Sequence, residues 1–178
     1  MSALPEPLQL LPLFLFALPF ALLFLEGKKP KDFLKHLSLQ PMPATRLFAD
    51  GLKLFAKSFV ALYVLIAILA LLGLADTNKV ADIVRQQGAL TLLVAVSFGP
   101  LAEELFFRGY LQKRIGVILA SAVFAFLHKG YGSIAEVLGA FIVSVIFGHY
   151  ARENKSVLPP FLAHALYNAA SVLVALHI

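Results

Sequence analysis

Three short clusters of polar side chains stand in otherwise apolar stretches: Glu103-Glu104-Leu105-Phe106-Phe107-Arg108, Phe124-Ala125-Phe126-Leu127-His128 and His164-Ala165-Leu166-Tyr167-Asn168. Carboxylates, imidazoles and a carboxamide are the groups that take protons from water and donate hydrogen bonds to a developing oxyanion. Their spacing divides the work. Glu104 and Arg108 are i, i+4, so on a helix the carboxylate and the guanidinium meet on one face and neutralise each other in a supporting role. Glu103 is turned about 100° away and stays free for another partner, such as His128 or a water, which makes it the candidate general base. His164 and Asn168, also i, i+4, set an imidazole beside a carboxamide, a pair suited to holding an oxyanion. A second chemistry uses some of the same residues: Glu103, His128 and His164 supply a His₂Glu set that zinc or another divalent metal would accept, with water completing the shell. The chain has no His-Glu-x-x-His helix, and Asn168 is a poor zinc ligand, so the preferred mechanism requires no cofactor.

The elements that must position these groups are membrane helices. Of 178 residues, 60% are hydrophobic and 14% charged, against about 45–50% and 25% in soluble domains. The expected fold is an all-α polytopic integral membrane protein with about six transmembrane helices. It forms a single membrane domain, 1–178, with N-terminal spans in 1–87 and a catalytic helical core in 88–178. The spans are expected at Leu8–Leu25, Leu47–Leu74, Ala89–Arg114, Ile115–His128, Ile134–Tyr150 and Leu158–Ile178. The first is interrupted by Pro12 and Pro19 and preceded by Pro5 and Pro7. It is read as a retained span because no Lys or Arg precedes it and no small-x-small site follows.

Lys28, Lys29, Lys31, Lys35, Arg46, Lys113, Arg114, Arg152 and Lys155 then fall on one side and Lys79, Arg85 and Lys129 on the other. The richer side is expected to be cytoplasmic, with both termini outside. This distribution accounts for the net charge of +5 without nucleic-acid binding, and the lack of cysteine excludes disulfides and thiol nucleophiles.

Depth groups the polar residues. With a turn near Ile115 and Gly116, Glu104 and His128 each lie about 18 Å along antiparallel helices from it, and His164 and Asn168 lie roughly 9 and 15 Å past Leu158. All are expected in the cytoplasmic half to middle of the bilayer. Glu136 is expected at the interface, paired with Lys129.

Glu-Glu-x-x-x-Arg, Phe-x-x-x-His and His-x-x-x-Asn, in that order and each in an apolar helix, resemble the CAAX protease and bacteriocin-processing (CPBP, or Abi) family of intramembrane endopeptidases, which includes the type II CAAX prenyl endopeptidases. The resemblance covers Val94 to Ala170. It implies that Glu103 and His128 activate the attacking water, that His164 and Asn168 hold the oxyanion, and that Glu104 and Arg108 support the site. The expected function is hydrolysis of a peptide bond near the cytoplasmic side of the bilayer. Expected partners are membrane lipid and a peptide or membrane-anchored substrate, prenylated or not, in the plasma membrane of a prokaryote. The alternatives are a catalytically silent scaffold or immunity protein of the same fold, and a proton-coupled carrier, whose Glu/His relay looks similar.

Overall fold

In hydrocarbon every backbone N–H and C=O must be satisfied within its own segment, so long apolar runs become helices. The computed structural model describes residues 10–177; Pro5, Pro7, the start of the first expected span at Leu8, and Ile178 lie outside the described residues. The helices are α1 (Leu11–Leu25), α2 (Phe33–His36), α3 (Ala44–Leu71), α4 (Asn78–Arg85), α5 (Ala89–Val96), α6 (Phe98–Glu104), α7 (Gln112–Leu127), α8 (Ile134–Asn154) and α9 (Leu158–His177), with a π-helical segment, Leu105–Leu111, between α6 and α7. No strand occurs among the described residues.

The chain is an all-helical membrane protein. Four helical runs, Ala44–Leu71, Ala89–Tyr131, Ile134–Asn154 and Leu158–His177, are long and apolar enough to cross a bilayer, and Leu11–Leu25 is a shorter apolar helix. Large apolar side chains face outward along them, including Phe14, Tyr63, Leu71, Leu90, Phe126 and Leu173. Such a surface suits lipid.

The run Ala89–Tyr131 covers two of the expected spans and is not straight. It breaks at Ser97 (φ −130°, ψ −80°) and again at Gly116 (φ 83°, ψ 165°). A positive φ of this kind is accessible to glycine without steric cost. Phe107 and Phe124, seventeen residues apart, would be about 25 Å apart on one helix. Their ring centroids are 5.0 Å apart, so the chain doubles back at Gly116.

Hydrogen bonds sort the loops into two ends. At one, Lys113 donates to the His36 carbonyl (2.6 Å) and Ser38 Oγ (2.7 Å), Val157 N donates to Ser38 O (3.1 Å), and Arg46 reaches Asn154 (3.1 Å). Arg114 and Tyr110 donate to Glu26, and these bonds hold its carboxyl below the usual carboxylate range. At the other end Arg85 donates to the Ala175 carbonyl (2.9 Å) and Asp76 meets the start of α8. Asp76 accepts from the Ser133 hydroxyl (2.7 Å) and from Ile134 N (2.9 Å) and Ala135 N (3.1 Å). The Ser133 bond leads a set that holds its carboxyl far below the usual range.

Close packing at the first end centres on Gly109, where a Cβ would lie 2.7 Å from the Leu37 carbonyl oxygen. At Gly51 a Cβ would meet instead the tip of the Leu162 side chain, also at 2.7 Å. A side-chain tip can rotate away and a backbone carbonyl cannot. Gly109→Ala is therefore expected to cost about 1–3 kcal/mol and Gly51→Ala less, as read from thermal unfolding in detergent. Because folding depresses the Asp76 pKa, its stabilisation is complete above the unfolded value near 3.9 and fades as pH falls below it. Asp76→Asn should lower Tm at pH 7, with the gap to wild type closing below about pH 4.

Candidate functional site

The site is built on the bent run and α9. Glu103 and Glu104 end α6, and the π segment that follows carries Arg108; π turns of this kind recur at functional sites. Glu104 and Arg108 form an ion pair at 3.1 Å with both side chains almost fully buried. The guanidinium carbon lies 4.7 Å from the centre of the Phe124 ring on α7 and 5.7 Å from that of Phe147 on α8. Glu104 Oε1 also accepts from His164 Nδ1 at 3.0 Å. The other ring nitrogen, His164 Nε2, stands 3.7 Å from Glu103 Oε2. One imidazole thus touches both carboxylates, and Glu103, at 24% side-chain exposure against 0% for Glu104, is the accessible one.

These contacts constrain protons. With Nδ1–H donating to Glu104, a neutral His164 would turn a lone pair toward Glu103. Among the described residues, Glu104 Oε2 and both terminal nitrogens of Arg108 are buried without a hydrogen bond.

The structure brings Glu103, Glu104, Arg108 and His164 together, and it sets His128 and Asn168 on the wall of an adjoining cavity of about 340 Å³. Several expectations change. Glu103 faces His164, and no ion pair joins it to His128. His128 instead ends α7, with Nδ1–H donating to the Phe124 carbonyl at 2.9 Å, which leaves Nε2 of the neutral ring as an acceptor. Asn168 Nδ2 donates to the Ala95 carbonyl at 2.9 Å. The break at Ser97 keeps that carbonyl from a continuous helical ladder, and one carboxamide proton remains free. The three residues proposed for a metal do not converge: among the described residues no three His, Asp or Glu side chains form a group that would hold one.

Depth is also revised. The cavity runs from Arg108 and His164 to Thr77, Asn78 and Ser133, at the end opposite the lysine-rich loops. His128 and Glu136 flank the short turn at that end. Glu136, expected at the interface with Lys129, lines the cavity, and Lys129 lies over the Phe126 ring at 6.0 Å. The sequence held the signal: His128 and Glu136 sit eight residues apart across one turn, hence at one depth, and Gly139, Ala140 and Val143 continue the Glu136 face.

Removing one partner of a buried ion pair strands the other charge in a low-dielectric interior. Arg108→Leu is expected to destabilise the protein by about 3–5 kcal/mol, and Glu104→Gln added to it should restore part of the loss, measured as Tm in the same detergent.

Residues 85–170 match the family model described as Type II CAAX prenyl endopeptidase Rce1-like. No curated protein and no solved structure matches the chain.

Proposed function

We propose, from the match of residues 85–170 to the Type II CAAX prenyl endopeptidase Rce1-like family model and the resemblance to the CAAX protease and bacteriocin-processing family, that the chain is an intramembrane endopeptidase whose water is activated by Glu103. The observation that carries the reading is the imidazole of His164 contacting Glu104 through Nδ1 and Glu103 through Nε2.

In the proposed reaction a water beside Glu103 loses a proton to its carboxylate as the oxygen attacks the scissile carbonyl. Glu104 orients His164 much as the carboxylate of a hydrolytic triad orients its histidine, and stabilises the imidazolium. His164 Nε2–H then faces the reacting centre and donates to the tetrahedral oxyanion. The second Asn168 N–H is the other donor, its carboxamide held in place by the Ala95 carbonyl. His128, with Nε2 as acceptor, orients the water from the cavity side. Glu103 returns its proton to the leaving amine as the C–N bond breaks. Arg108 balances Glu104, so that only one carboxylate of the pair takes part in proton transfer. No step is routed through a metal. The substrate is a peptide or membrane-anchored chain whose apolar part fits among Leu62, Ile66, Val80, Val84 and Val143.

The test is cleavage of a membrane-presented peptide library by purified protein in nanodiscs. Wild type should cleave, Glu103→Ala and His164→Ala should each lose at least about 100-fold in rate, and wild-type cleavage should survive chelation. Chelator-sensitive cleavage restored by zinc would replace the metal-free mechanism, and folded protein that cleaves nothing would favour the scaffold or the carrier.

A further inference from the structure

Glu136 completes Ser133-Ile134-Ala135-Glu136, a pattern in which the glutamate side chain ordinarily turns back to bond the backbone N–H of the capping serine. Half of that arrangement forms: Ser133 Oγ accepts from Glu136 N at 3.1 Å. The other half does not. Among the described residues the Glu136 carboxylate has no hydrogen bond or ion pair, and the start of α8 is served by Asp76, which accepts from Ile134 N, Ala135 N and the Ser133 hydroxyl. Asp76, from the loop between α3 and α4, serves the first two N–H groups of the helix, and the glutamate side chain lines the cavity wall.

Charge balance then isolates Glu136. Glu104 is paired with Arg108, and the Glu103 and Glu104 carboxylates both lie beside the His164 ring, so the charged groups of the deep cluster are engaged with one another. The lysines near the cavity end are engaged elsewhere. Lys79 donates to Asp76 (3.1 Å) and the Gly132 carbonyl (2.9 Å), and Lys129 lies over Phe126. The ionisable groups that line the cavity with Glu136 are Arg108, His128, His164 and Tyr167. Arg108 is held by Glu104 between two phenyl rings, and His128 donates to a backbone carbonyl. A carboxylate on a mainly apolar wall is costly without a counter-charge, and the protein supplies none in contact. An occupant can.

We propose that Glu136 is a specificity-determining residue that pairs with a cationic group of the substrate peptide, a lysine or arginine side chain or a free ammonium, and so sets which residue is seated beside the scissile bond. The proposal rests on the endopeptidase reading above and adds its substrate class. Cation and carboxylate meet inside a wall of Leu62, Ile66 and Val143, where an ion pair is screened little by water and discriminates strongly against a neutral or acidic side chain.

The experiment uses membrane-presented peptides with blocked and with free amino termini, carrying Lys, Arg, Gln or Glu at each position flanking the cleavage point. They are assayed with wild type, Glu136→Gln, Glu136→Lys and Glu103→Ala. Wild type should favour Lys or Arg over Gln at one position by about 10-fold or more in kcat/KM. Glu136→Gln should level that preference while retaining cleavage of the Gln peptide, and Glu136→Lys should prefer Glu there. A preference confined to free amino termini identifies the ammonium as the cation. An equal loss on every peptide in Glu136→Gln, from protein with wild-type Tm, overturns recognition in favour of a proton-handling role. Glu103-dependent cleavage with no cation preference in wild type overturns this inference alone, whereas no Glu103-dependent cleavage of any peptide overturns the protease reading and this inference with it.

Discussion

Glu104 is the group on which the rest of the site depends. It is completely buried, it accepts from His164, and it faces Arg108 across 3.1 Å. A carboxylate in such a place is tolerable only with a matched positive partner, and the partner must in turn be held where its own desolvation is offset. Arg108 achieves this by lying against the faces of Phe124 and Phe147, so one ion pair ties the π segment to α7 and α8 while the imidazole ties it to α9. The spatial relation between Glu103 and His164 follows from that tie. Among the described residues Glu103 has no side-chain hydrogen bond, and the ionisable group beside it is an imidazole positioned by the adjacent glutamate.

Irregular backbone makes the arrangement possible. A straight helix through 89–115 would carry Ala95 and Glu103 along one continuous ladder of hydrogen bonds. The break at Ser97 interrupts that ladder, and the Ala95 carbonyl accepts from Asn168. Non-helical backbone at membrane depth survives only where other groups satisfy it. Here the carboxamide of α9 serves one carbonyl, and the Ser97 hydroxyl donates to that of Leu93. A residue singled out for oxyanion chemistry thus also repairs the helix that presents the carboxylates.

What could be read from sequence follows from the range of the forces involved. The i, i+4 relation of Glu104 to Arg108 is local and reads directly, as does the turn at Gly116, because span length and glycine geometry are properties of a few consecutive residues. The assignment of an all-helical membrane fold rests on composition and needs no tertiary contact. The partner of His164 was less legible, since choosing Glu104 over another acceptor depends on helix rotation, and the Ser97 break and the π segment both alter rotation without a periodic signature. Glu136 escaped for a different reason. Its spacing from His128 marks a shared depth, but the bonds from Ile134 N and Ala135 N at the start of α8 to Asp76, more than fifty residues earlier, have no local pattern.

The contacts of the 26–43 segment bear on what constitutes a self-sufficient piece of this chain. Leu37 is packed against Gly109 and buried with Leu105, Tyr110 and Val157, while Ser38, in a left-handed conformation, receives both the Lys113 ammonium and the Val157 amide. At the opposite end Leu62, Ile66 and α4 supply part of the cavity wall. Cutting the chain at the boundary of the region shared with the family would leave a buried amide and an ammonium without acceptors and open the cavity on one side. The portion that carries the recognisable motifs is therefore smaller than the portion that must be present for those motifs to hold their shape. Substitutions at Leu37 or Ser38 would therefore be felt at the helices that carry the site.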